Sequence, residues 1–159
     1  MRPPAALLLA LVAAASVALS AVAATGRVVS PDPCSISQGA LNAALSASAG
    51  TPQYGTPGTK AVHGASLATC TWTYGNKEVV TSIGPKSLNA HPPANPTGTV
   101  THKISGLGSG GKLLTNSRAG YVFIAVTFTK GARWGEAWGS LGVTKAQILR
   151  VGRSLYSKL

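Results

Sequence analysis

Acidic side chains are almost absent from this chain: Asp32, Glu78 and Glu136 are the only three, against fourteen Lys and Arg. So small a supply gives no reason to expect paired-carboxylate hydrolysis, which needs two such groups about 5 to 9.5 Å apart. Charged residues of both signs reach only 11%, too few for a highly charged disordered tail. Cysteine occurs twice, at Cys34 and Cys70, with no Cys-x-x-Cys, which argues against a redox pair or a thiolate metal site. His63, His91 and His102 lack the His-Glu-x-x-His spacing of a zinc helix, and no Gly-x-Ser-x-Gly nucleophile elbow is present. Asn95-Pro96-Thr97 fails as a glycosylation acceptor because Pro fills its middle position. No catalytic residue, metal or cofactor is assigned on these grounds.

Long apolar runs are confined to the start. Residues 5–19 are apolar except for Ser16, after a basic Met1-Arg2 opening and ahead of Ala21-Val22-Ala23, the pattern of a secretory signal peptide over 1–23. A membrane anchor is the competing reading, but Ser20 ends the run short of the ~20 residues a span requires. A tether over 24–30 and one α+β domain over 31–159 are expected to follow, with no membrane span once the leader is removed. No Cys marks the cleavage site, so nothing there invites acylation, and a secreted, extracellular or cell-wall-associated protein is the expectation.

Loss of Arg2 leaves the mature chain at +10. Its positive charges are scattered and nowhere form a run of five or six, so no nucleic-acid-binding arm is read. A charge this far from zero favours solubility and attraction to anionic surfaces. The expected partner is an anionic cell-envelope polymer or an extracellular protein; oligomeric state is not legible.

Export to an oxidising compartment makes a Cys34–Cys70 disulfide the default. Around Cys70, residues 68–74 alternate Ala, Cys, Trp and Tyr with three Thr, which predicts a half-buried strand with Cys70 facing the core. Ser35 with Gln38 predicts a capping box, and Ile36, Ala40, Leu41, Ala44 and Leu45 share the face of the helix that follows, with Gly50 as its stop. Residues 51–67, rich in Thr, Pro and Gly, read as a long loop. Strands are predicted over 78–83, 99–104 and 112–115, and most clearly over 121–129, where Val122, Ile124, Val126 and Phe128 take one face. Thr144 with Gln147 forms a second capping box, Val143 and Ile148 a hydrophobic staple, and Ile148, Val151, Leu155 and Leu159 an apolar stripe. The total is about five antiparallel strands between two helices, both on one sheet face.

Gly106 to Lys112 matches two phosphate-loop patterns literally, yet strand residues follow where a helix is required, and Leu113 stands where a magnesium-binding hydroxyl belongs. A Gly-rich turn accounts for the match. Arg133-Trp134-Gly135-Glu136-Ala137-Trp138-Gly139 is the remaining candidate. Trp134 and Trp138 either pack beneath the C-terminal helix or lie open as a stacking platform for a sugar or flat ligand, with Arg133 and Glu136 as polar neighbours.

Four segments, in order and spacing, resemble an actinobacterial family of exported proteins and lipoproteins of unknown function: Asp32-Pro33-Cys34-Ser35, Cys70-Thr71-Trp72, Ile104-Ser105-Gly106-Leu107-Gly108 and the final amphipathic helix. They span 31–159. The resemblance implies a cell-envelope domain with helices packed on an antiparallel sheet, loosely like the extracellular sensor domains of bacterial receptor kinases, and carries no activity or cofactor with it. This chain lacks the lipobox Cys of the lipoprotein members, and it has Ser109-Gly110 where an acidic residue often follows the Gly-Leu-Gly turn. The expected function is a non-enzymatic binding module with a cationic surface; a cell-wall-acting enzyme is the alternative.

Overall fold

The structure, a computed structural model, describes residues 31–45, 55–75, 77–90, 97–117, 123–140 and 142–159. The leader and tether expected over 1–30, and the expected Gly50 helix stop, lie outside them. Helix α1 (Gln38–Leu45) is followed by β1 (Thr56–Val62), β2 (Ala65–Tyr74) and β3 (Lys77–Pro85), then by a 3-10 turn over Lys86–Asn89. Strands β4 (Val100–Lys103), β5 (Lys112–Asn116), β6 (Phe123–Lys130) and β7 (Arg133–Gly139) precede helix α2 (Lys145–Lys158). No helix among the described residues is long and apolar enough to cross a membrane.

All seven strands form one antiparallel sheet in the order β1-β2-β3-β7-β6-β5-β4. Each hairpin pairs chain neighbours except at the centre, where β3 meets β7 with Ser82 opposite Glu136. Side chains alternate between the faces of a sheet, so Cys70, Trp72, Val79, Ile83, Val126 and Phe128 point to one side. There they join Leu41, Leu45, Ile148, Val151 and Leu155 of the helices in the main core. Both helices thus cover the same face, as patterning predicts.

The opening segment is tied to this core by covalent and polar links. Cys34 and Cys70 are disulfide-bonded, with Cα atoms 5.2 Å apart. Beside them the buried Thr81 hydroxyl donates to the Pro33 carbonyl at 2.7 Å, and Trp72 Nε1 donates to Thr81 Oγ1 at 3.4 Å. The first helix starts later than the Ser35 cap predicts. Asp32 takes the intervening residues into a turn, its side chain accepting from Cys34 N and its carbonyl from Ser35 N, and Ser37 Oγ then accepts from Ala40 N. Helix α2 keeps its capping box, with Thr144 N donating to Gln147 Oε1 at 2.8 Å and Gln147 N to Thr144 Oγ1 at 3.3 Å. Gln147 Nε2 also donates to the Leu45 carbonyl, and Arg150 Nε to that of Ala44 at 2.8 Å. Open carbonyls at the end of α1 are therefore satisfied by α2.

The sheet has seven strands where patterning predicts about five, and both additions have a physical cause. The first, β1, lies in the stretch read as a loop. It is an edge strand with six of its seven residues exposed, so it carries no apolar alternation, and an edge tolerates Pro57, which has no N–H for the ladder. A two-residue turn closes its hairpin, with His63 and Gly64 both at positive φ (47° and 76°) and Val62 opposite Ala65, as a type I′ turn requires. The second, β7, is the Trp-containing segment. Its core-facing residues are Gly135, Ala137 and Gly139, so its period of two is written in small residues instead of large apolar ones.

Candidate functional site

Strand β7 is turned by what its glycines must accommodate. A Cβ on Gly135 would lie 2.5 Å from the Phe128 ring, and one on Gly139 would lie 2.8 Å from Val143. Close packing of β6 and the entry to α2 therefore reserves these inward positions for small residues. Alternation then sends Trp134, Glu136 and Trp138 to the face away from the helices. Neither indole lies beneath α2.

The outer face carries a polar row across the sheet. Pairing aligns Thr69 with Ser82, Ser82 with Glu136, Glu136 with Thr127, Thr127 with Lys112, and Lys112 with Lys103. Glu136 stands at its centre, only 8% exposed. Trp134, one same-face step away on β7, is 1% exposed and sealed with Val62, Leu67 and Leu88 in a second small apolar cluster. Trp138, one step the other way, is half-buried and lies 6.4 Å from Phe123 in a tilted ring contact.

Two cavities meet at Glu136. A cleft of about 260 Å³ on the β1 side is lined by Lys60, Thr71, Ser82, Glu136 and Trp138 among others. A smaller cavity of about 70 Å³ on the other side is lined by Asn89, Lys112, Leu114, Thr127, Trp134 and Glu136. Among the described residues nothing donates a hydrogen bond to the Glu136 carboxyl, and the side-chain oxygen of Asn89 is buried without a partner. Burial pushes the Glu136 carboxyl up to about 7 from an ordinary 4.5, while the charge of Lys60 pulls in the opposite direction. Buried acceptors without donors are uncommon in folded proteins because each forfeits hydration for nothing. The Asn89 oxygen is such an atom, closed off from solvent, whereas Glu136 lines both cavities and is the acceptor a ligand's donors would meet there.

The four residues singled out from sequence are divided by the structure. Glu136 and Trp138 share the larger cleft, Trp134 walls the smaller cavity from within its own apolar cluster, and Arg133 falls on the opposite parity of β7. Cys34 and Cys70 lie on the helix-covered side. Sequence reasoning did not single out Lys60, Ser82, Asn89, Lys112 or Thr127. For Ser82 and Thr127 a signal existed, since each is a polar residue on the second face of a predicted strand; Asn89 belongs to a turn whose position only the fold determines. Among the described residues no three His, Cys, Asp or Glu side chains gather as a metal site. The glycine-rich segment leads into β5 and not into a helix, with the side chain of Leu107 fully buried beneath it. Comparison of the chain with models of protein families, with curated proteins and with solved structures finds no match.

Proposed function

We propose that this chain is a secreted, cell-envelope binding module that takes its ligand on the outer face of the sheet, around Glu136 and Trp138. The observation that carries the reading is the buried Glu136 carboxyl, without a hydrogen-bond donor, between two cavities and beside a partly exposed indole. Support for the setting comes from the leader-like start, the single disulfide, which suits an oxidising compartment, and the excess of positive charge, which draws the protein to anionic envelope polymers. An enzymatic role has less to draw on. Glu78, the other acid in the cleft, is four residues from Ser82 along β3, so its Cα lies about 14 Å from that of Glu136 by strand geometry. The row of Val80 and Trp138 stands between them, an unsuitable arrangement for a pair that must flank one bond. His63 and His102 are exposed and line neither cavity.

Retention of the mature protein on isolated cell envelopes tests the reading. Binding should be saturable, should fall as salt is raised toward ~0.5 M because exposed charges are screened, and should weaken several-fold in Trp138→Ala, with no turnover of wall material. Retention indifferent to both salt and Trp138→Ala would refute it, and reproducible turnover abolished by Glu136→Gln would replace it with an enzyme.

A further inference from the structure

We propose that the face covered by the two helices is a docking surface for an anionic phosphodiester polymer, which lies in the groove between α1 and α2 against Arg150 and Arg153. This goes beyond the reading of the outer cleft, because it gives the protein's positive charge a second surface on the opposite side of the sheet. The fold sorts charge unevenly. Lys60, Lys103 and Lys112 fall on the outer face, with Lys86 on the exposed turn, and Glu78 and Glu136 stand among them. Opposite parity sends Lys77, Lys130 and Arg133 to the helix side, where Lys130 Nζ donates to the Tyr156 carbonyl at 3.0 Å. Helix α2 adds Lys145, Arg150, Arg153 and Lys158, and neither helix contains an acid. Asp32, in the turn tied to that side through Cys34, is the one acidic side chain set against them, since the chain has no Asp or Glu beyond these three.

The two helices leave an open groove of about 330 Å³, lined by Ala40, Ala43 and Ala44 of α1 and by Arg150, Arg153 and Ser154 of α2. The alanines recur at i, i+3 and i+4, so its floor is a strip of methyl groups that lets a chain approach the arginines closely. Arg150 Nε donates to the Ala44 carbonyl at 2.8 Å, which fixes that guanidinium at the groove. Arg153 is exposed and stands three residues on, about 5 to 6 Å away at Cβ. Beside an apolar floor these charges act more strongly than they would in open water.

Guanidinium forks take two oxygens of one oxyanion in parallel hydrogen bonds. A phosphodiester presents such a pair at every link and uses its other two oxygens to carry the chain onward. One link can then meet the arginines and the Ser154 hydroxyl while its neighbours stay within the surrounding positive field. A groove of this size admits a single flexible chain and not a duplex. A folded acidic protein is a poorer match, because such interfaces depend on large aromatic or apolar anchors. Among the described residues the exposed large hydrophobic is Val100, on the edge strand β4 and on neither helix.

The experiment titrates the mature protein with poly(glycerol phosphate) by calorimetry over a series of salt concentrations, with poly-glutamate as the carboxylate comparison. Saturable binding is expected, tighter than to poly-glutamate and weaker as salt rises. The double variant Arg150→Gln, Arg153→Gln should lower the affinity about tenfold or more and flatten the slope of log affinity against log salt by roughly 1 to 2. Lys86→Gln, Lys103→Gln removes the same charge from the other side and should cost no more than about twofold. Thermal melts confirm each fold, and Arg153→Gln alone, at an exposed position, should show a smaller loss in the same direction if Arg150→Gln disturbs the contact with α1. Equal losses in the two double variants would overturn the docking surface, because charge would then act without a site. Equal or tighter binding of poly-glutamate would overturn the phosphodiester assignment. Absence of polymer binding in a protein whose envelope retention still depends on Trp138 would overturn this inference and spare the reading of the cleft.

Discussion

A carboxylic acid that folding withdraws from water holds its proton more tightly in the native state than in the unfolded chain. For Glu136 the native value of about 7 stands above the ordinary 4.5, so between those pH values the folded protein binds a proton that the unfolded chain has released. The stabilisation linked to this proton is therefore complete below the lower value and is lost progressively as pH rises through the upper one. Glu136→Gln removes the ionisation and keeps the shape. Urea unfolding should show similar stabilities for the two proteins at about pH 4 and a Gln variant more stable by on the order of 2 kcal/mol at about pH 8. Coincident curves at the higher pH would mean that the ionised carboxyl is not penalised by its surroundings. At this scale the sequence was informative about identity and silent about environment. Glu136 and Trp138 stood out because acids and large aromatics are scarce, whereas the unpaired oxygen of Asn89 depends on a 3-10 turn brought against β7 by long-range pairing.

Elements were legible where burial wrote a period into the residues. Helix α2 announced its start through Thr144 and Gln147 and its buried face through Ile148, Val151 and Leu155, and the structure keeps all of these. Strands β2 and β6 showed theirs in the same way. Strand β1 wrote nothing because solvent covers most of it, and β7 wrote its pattern in Gly and Ala, which hydrophobic periodicity overlooks. The Ser35 cap failed because a competing turn around Asp32 was locally available. Gln147 deserves separate weight among these devices, because one side chain closes the α2 capping box and also donates to the last carbonyl of α1. Gln147→Ala should destabilise the protein by roughly 1 to 2 kcal/mol, measured by denaturant unfolding. A loss below about 0.5 kcal/mol would show that water replaces both roles.

Across the whole molecule, stability leans on a covalent tie between the opening turn and a strand on the far side of a long intervening stretch. The linked cysteines are 36 positions apart, and the entropy removed from the unfolded chain by closing such a loop corresponds to about 3 to 4 kcal/mol. Net stabilities are on the order of 5 to 15 kcal/mol. The double variant Cys34→Ser, Cys70→Ser should therefore unfold with a midpoint lower by on the order of 10 °C, read by calorimetry, while retaining the antiparallel sheet in its circular dichroism at low temperature. An unchanged midpoint would place the stabilising weight on the Thr81–Pro33 hydrogen bond and the surrounding core instead.

The pairing of β3 with β7 has a consequence for how this molecule would respond to occupancy. Strands β1 to β3 form one meander and β4 to β7 another, and the two are stitched along a single seam, with Ser82 contributed by the first half and Glu136 by the second. Neither half owns the cleft. A guest lodged across that seam acts as a clamp on the most non-local strand pairing in the sheet, the one whose closure comes at the greatest loop entropy among the strand pairs, so an occupied protein would resist separation of its halves more than an empty one.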